Sequence, residues 1–259
     1  MTAAVLRPLS LGEILDTSFQ VYRRHFAALV PVMLICYGPT VLIGVFIRAA
    51  GGITSHIVLW VVAILLAMVT STIAMGATVL VISESYLGRS IDGVEALRRA
   101  TPYFGRLILA SFAYVLLVGI GFLFFAVPGV IIGCGLLVTW PAIVLESLPR
   151  WDAGLRRSWE LSKGSRGRVF LLGLLVPLIS FVPVMGVSML FVLVVLMTGW
   201  TGSSALVAVG TVAGALLIEL VKLLTYAFFN CALTIMYYDL RVRREGFDLE
   251  LLATTLKSA

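Results

Sequence analysis

Six long apolar runs constrain the fold of this 259-residue chain more tightly than any motif in it. They are Phe26–Ile47, Ile57–Ser83, Leu107–Val127, Val130–Leu145, Val169–Thr198 and Ala205–Tyr238. A helix needs about 20 apolar residues to cross a hydrocarbon core about 30 Å thick, and only the fourth run falls clearly short. With 61% hydrophobic and 12% charged residues, the chain carries half the charge of a soluble domain, for which roughly 25% is usual. A water-soluble core cannot hide that much apolar surface. The expected fold is an all-α integral membrane protein with about six transmembrane helices.

Pro128-Gly129 lies between the third and fourth runs and is a strong turn signal. Leu107–Leu145 therefore reads as a tight helical hairpin, with a re-entrant pair as the alternative. The runs then pair into three hairpins, in repeat units of roughly 8–86, 87–148 and 149–240 followed by a tail, 241–259. A weak internal likeness supports this: Val81-Ile82-Ser83-Glu84-Ser85 with Leu97-Arg98-Arg99 matches Ile143-Val144-Leu145-Glu146-Ser147 with Leu155-Arg156-Arg157.

The basic residues give an orientation. Arg7, Arg23 and Arg24 precede the first run, and Arg89, Arg98, Arg99 and Arg106 occupy the second connector. Arg150, Arg156, Arg157, Lys163, Arg166 and Arg168 occupy the fourth, and Arg241, Arg243, Arg244 and Lys257 follow the last run. Of the 19 Lys and Arg residues only Arg48 and Lys222 fall elsewhere. By the positive-inside rule both termini and the even connectors are cytoplasmic. The net charge of +6 thus belongs beside anionic headgroups, and nucleic acid is not an expected partner.

Each hairpin is led by a segment of helical periodicity: Leu11, Ile14, Leu15, Phe19 and Tyr22; then Val94, Leu97, Thr101 and Phe104; then Trp151, Leu155, Trp159 and Ser162. An amphipathic helix of this kind either lies in the headgroup plane or docks on its own bundle. In the first case Arg23, Arg24, Arg98, Arg99, Arg156, Arg157, Arg241, Arg243 and Arg244 would face lipid phosphates or a membrane-protein partner, each worth on the order of 1 kcal/mol near an anionic surface.

The chemistry inside the runs is sparse. Cys36, Cys134 and Cys231 lack metal-ligand spacing and read as small buried hydrophobes. His25 and His56 form no HExxH pattern, no nucleophile elbow or Walker loop occurs, and neither an enzyme, a metal nor a cofactor is expected. Glu219 and Lys222 stand at i, i+3 in the last run, where they can pair in a medium in which a lone charge costs from about 2.5 kcal/mol upward. They mark either a polar spot facing a cavity or, since the 34-residue run would be about 51 Å long, a pair near the outer interface. Pro177 and Pro183 are expected to break the fifth span. Gly129-x-x-x-Gly133 and Gly210-x-x-x-Gly214 are packing motifs.

Two end motifs carry a family resemblance: Arg7-Pro8-Leu9-Ser10-Leu11-Gly12-Glu13-Ile14-Leu15-Asp16, and Tyr237-Tyr238-Asp239-Leu240-Arg241-Val242-Arg243-Arg244-Glu245-Gly246-Phe247-Asp248. Together with Leu155 to Gly164 they resemble a family of largely uncharacterised bacterial multi-pass proteins. That family is related to the membrane domain of some glycerophosphoryl diester phosphodiesterases. The resemblance implies a bacterial inner-membrane protein. It does not imply the phosphodiester chemistry, which belongs to a separate metal-binding barrel not found in these residues. Two functions are therefore expected in turn: partner or lipid binding at the basic face, or transport of a lipid-like or small substrate using the broken fifth span with Glu219 and Lys222. A reporter enzyme active only outside the cytoplasm, fused to the C-terminus, should give no signal, and strong activity there would reverse the orientation.

Overall fold

A computed structural model describes residues 7–49, 57–86, 91–200 and 203–246. His56, Arg89, Phe247, Asp248 and Lys257 lie outside the described residues, as does most of the tail. In hydrocarbon a backbone has no water to bond with, so each apolar run must close its own hydrogen bonds as a helix. The described residues contain ten α-helices: α1 (Leu11–Arg24), α2 (Phe26–Ala49), α3 (Ile57–Tyr86), α4 (Gly93–Ala100), α5 (Phe104–Phe124), α6 (Ala126–Leu136), α7 (Thr139–Leu145), α8 (Trp151–Ser162), α9 (Arg166–Trp200) and α10 (Ser204–Glu245). Six segments are long and apolar enough to cross a membrane, with α6 and α7 together forming one of them. The protein is an all-α, multi-pass membrane protein.

The crossings pair as α2 with α3, α5 with α6 and α7, and α9 with α10. Short amphipathic helices α1, α4 and α8 precede the three pairs. Ser10 caps α1: its hydroxyl accepts from the Glu13 amide while Glu13 accepts from the Ser10 amide, satisfying two donors that a helix start leaves open.

The hairpin turn differs from its expected place. The chain reverses at Phe125, which is extended (φ −166°, ψ 157°), and Pro128 and Gly129 lie within the first turn of α6. A proline is tolerated there because the first turn has no intrahelical partner for its missing N–H. Gly129 is required by packing: a Cβ on it would lie 2.5 Å from the Phe122 ring. The return segment Ala126–Leu145 spans 20 residues, about 30 Å at 1.5 Å per residue, enough for a full crossing.

That crossing is broken at Leu137 and Val138, which frees carbonyls inside the apolar zone. Ser158 and Ser162 of α8 donate to the Gly135 carbonyl at 2.9 and 3.1 Å, and Thr139 donates to the Leu136 carbonyl at 2.6 Å. Half of this segment is buried inside the protein, against less than a quarter in each of the other five. Irregular backbone at membrane depth survives only under such cover.

The prolines of α9 do not break it. The helix is continuous from Arg166 to Trp200 with Pro177 and Pro183 inside it, as α2 is with Pro31 and Pro39. Each proline deletes one bond, and with no water competing for the remaining groups the helix continues.

Packing is strongly polarised along the membrane normal. The buried core lies in the arginine-rich half, where α10 joins all three clusters. Its Leu223, Ala227 and Cys231 pack with Leu29, Met33 and Ala77. Its Ile235, Met236 and Tyr237 pack with Ile14, Val138 and Val169, and Leu233 with Leu107 and Ile143. In the far half no described residue of α3 before Thr70, of α9 after Val176 or of α10 before Ala215 is buried. In lipid this is no penalty, because acyl chains are as apolar as leucine.

Removing both hydroxyls, as in Ser158→Ala with Ser162→Ala, should leave the Gly135 carbonyl without its partners. We expect a loss of about 1–3 kcal/mol, read as a lower unfolding midpoint in detergent. Unchanged stability would mean that the break finds another donor.

Candidate functional site: a polar cavity in the apolar zone

Helical geometry brings Glu219 and Lys222 onto one face of α10, where the ammonium donates to the carboxylate at 3.1 Å. The pair lines an open-sided cavity of about 410 Å³ bordered by α2, α3 and α10. Tyr37 and Thr40 come from α2, Trp60, Met68 and Ser71 from α3, and Tyr226 from α10. Leu223 of the lining also belongs to the packed core, with Cys36 and Ala74. The volume falls within the roughly 300–1,000 Å³ of small-molecule sites.

Depth follows from helix rise. Tyr37 lies 11 residues beyond Phe26, the start of α2, hence about 16 Å into a core of about 30 Å. Its ring stacks on Tyr226 with centroids 5.7 Å apart and planes 4° from parallel, which sets Tyr226 near the midplane. Lys222 and Glu219 are then about 6 and 10 Å further toward the far side at 1.5 Å per residue. The pair sits in the far half of the apolar zone, and the cavity reaches from it to the middle.

Two hydroxyls in the wall bond within their own helices: Thr40 donates to the Tyr37 carbonyl at 2.7 Å and Ser71 to that of Met68 at 3.0 Å. The Trp60 indole N–H is different, being buried with no hydrogen-bond partner. Trp60, in the first turn of α3, lies in the cavity wall. Tyr37 and Tyr226 escaped sequence reasoning altogether. Their only signal is that each is a lone tyrosine in an otherwise apolar stretch. Pro177 and Pro183 take no part, since α9 contributes nothing to the lining. Gly214 packs a backbone-to-ring contact against Phe191 of α9, as the glycine motif suggests. Among the described residues no group of His, Cys, Asp and Glu could hold a metal ion.

At the arginine-rich end, the basic residues divide into two sets. Arg157 donates to Glu146 at 2.8 Å and pairs with Glu245. Burial opposes its charge, but these two carboxylates outweigh it and raise its pKa. Tyr237 donates to the same Glu146 at 2.7 Å, and Arg241 to Glu245 at 3.1 Å. Asp239, whose side chain has no exposed surface, accepts from the Leu9 amide at 2.8 Å and from Arg168 and Arg243 at 3.2 and 2.9 Å. Arg243 also donates to the Leu9 carbonyl at 2.7 Å and Arg244 to that of Lys163 at 2.9 Å. Arg157, Arg241 and Arg243 are therefore turned to internal carboxylates, in contrast to the expectation that they face lipid, while Arg244 stays exposed beside the Lys163 carbonyl. The acidic residues that these three neutralise explain the difference, and Asp239 is the structural residue that a count of arginines overlooks.

The second set points outward. Arg23 lies 5.8 Å over the half-exposed Phe19 ring, and Arg24 and Arg98 are exposed. Arg99 pairs with Glu95 at 2.9 Å, and Arg156 with Asp152 at 3.6 Å while its side chain stays 80% exposed. Helix α4 docks by its small residues Gly93, Ala96 and Ala100, because a Cβ on Gly93 would lie 2.1 Å from the Ala28 carbonyl. That docking leaves Val94 on the surface, 54% exposed.

Comparison with family models, with curated proteins and with solved structures gives no match for this chain. The geometry alone carries the functional reading.

Arg157→Met should cost about 2–3 kcal/mol by removing the cation shared by two partly buried carboxylates, which keep only Arg241 and Tyr237, whereas Arg156→Met should stay within about 0.5 kcal/mol. Equal effects of the two substitutions on the unfolding free energy in detergent would contradict this division.

Proposed function

We propose that this protein binds a lipid-like or small amphipathic molecule in the cavity between α2, α3 and α10, as a transporter or permease of the bacterial inner membrane with both termini in the cytoplasm. One observation carries the reading: a Glu–Lys pair lines a cavity that extends to the middle of the apolar zone. Charges at such depth are expensive, and a ligand or water-filled space is the usual reason for keeping them. The polarised packing supports it, since the loosely packed half is the one able to open. Binding, and no bond-making chemistry, is assigned to the site. The likeness of its end motifs to the membrane domain of the phosphodiesterase-related family accords with a binding role separate from catalysis.

A second reading rests on the outward arginines. Arg23, Arg24, Arg98 and Arg156 sit beside the exposed Phe19, Phe26, Val94 and Trp151, the arrangement of helices that seat in anionic headgroups or meet a membrane-protein partner. The two readings are compatible, one describing the anchor and the other the cargo.

Native mass spectrometry of the purified protein should find a retained amphiphile that Ala67→Phe, which fills the cavity, removes. Reversing Arg23, Arg24, Arg98 and Arg156 to Glu should instead reduce bound anionic lipid and spare that occupant. A wild-type protein that retains no amphiphile would sink the cavity reading.

A further inference from the structure

We infer that the cavity selects a zwitterionic lipid head, one carrying a phosphate ester and a primary ammonium on the same molecule. The inference rests on the cavity reading above and adds its chemistry. Three polar groups in the wall set the requirement. Lys222 has three N–H donors, of which one is directed at Glu219, 3.1 Å away. The Trp60 N–H on the facing helix α3 is buried without an acceptor. Both call for ligand oxygen. Glu219 offers a carboxylate whose two oxygens accept several donors at once, so a ligand ammonium is accommodated whether or not other donors already reach it.

A phosphate placed between Lys222 and Trp60 supplies oxygen to both donors, and its ammonium can join the partners that Glu219 already has. It also adds no net charge to the apolar zone. A net-anionic head would import a charge there at a cost, and would bring a second anion close to Glu219. A quaternary ammonium would carry the positive charge without any N–H to donate. The stacked Tyr37 and Tyr226 rings close the cavity at the midplane, so the head enters from the far side. At the rim Ile64 is 62% exposed, leaving an apolar path on which acyl chains can continue into the surrounding lipid.

The test compares lipids of matched chains in nanodiscs, reading retention by native mass spectrometry for wild type, Glu219→Gln, Lys222→Gln and Trp60→Phe. Phosphatidylethanolamine should be retained about tenfold over phosphatidylcholine and phosphatidylglycerol, the order of one charge-assisted hydrogen bond. Glu219→Gln should abolish the preference over phosphatidylcholine, and Trp60→Phe should weaken retention of all phosphate heads. The charge-swapped double variant, Glu219→Lys with Lys222→Glu, keeps an internal pair and controls for folding, and it should restore selectivity for phosphatidylethanolamine. Equal retention of the three lipids by a wild type whose occupant is still removed by Ala67→Phe would overturn the head assignment while leaving the cavity reading standing. Soluble phosphoethanolamine competing as well as the lipid would overturn the membrane source.

Discussion

Asp239 is a carboxylate with no exposed surface, placed where the start of the chain, the base of α9 and the end of α10 converge. A buried anion is tolerable only when paired and hydrogen-bonded, and here the Leu9 amide, Arg168 and Arg243 meet that demand together. The consequence is structural closure. The N-terminal segment, whose α1 buries Ile14 against α10, is tied to the last helix, and the Glu146–Arg157–Glu245 pairs tie the middle hairpin to the same point.

With one end of the bundle clamped in this way, the other end is left comparatively free. Residues near the clamp pack as a protein core, with small residues and glycines allowing close approach. Toward the far side the helices present apolar surface to lipid and few buried contacts to each other. Association in a membrane draws on packing and polar bonds, not on expulsion of apolar surface from water. Where both are sparse, helices separate and leave space. The cavity is where α2, α3 and α10 part above their shared core, and the Glu219–Lys222 pair stands at that opening.

Much of this was legible in the sequence. The apolar runs match the crossings closely because length and hydrophobicity are all that spanning requires, and the Glu219–Lys222 pairing follows from helix spacing alone. Other features were not legible. Pro128-Gly129 has the composition of a turn but fills the first turn of α6, since a proline is equally at home in either place. Pro177 and Pro183 have the composition of a break, yet α9 runs through them because its surroundings offer no competing bonds. The arginines of the tail and of α8 read alike, and only the burial of the acidic partner separates Arg157, held by Glu146, from Arg156, exposed beside Asp152.

What the sequence determined by itself was therefore the class of the molecule, the number of crossings and the concentration of basic charge at one end. These are properties of local composition, settled by the cost of placing backbone and charge in hydrocarbon. The tertiary structure decided which polar groups meet: that Ser158 and Ser162 complete a broken helix, that Asp239 joins both ends of the chain, and that Trp60 and two stacked tyrosines share a cavity with an ion pair. Those contacts join residues far apart in sequence, and their energies depend on distances that no local pattern encodes.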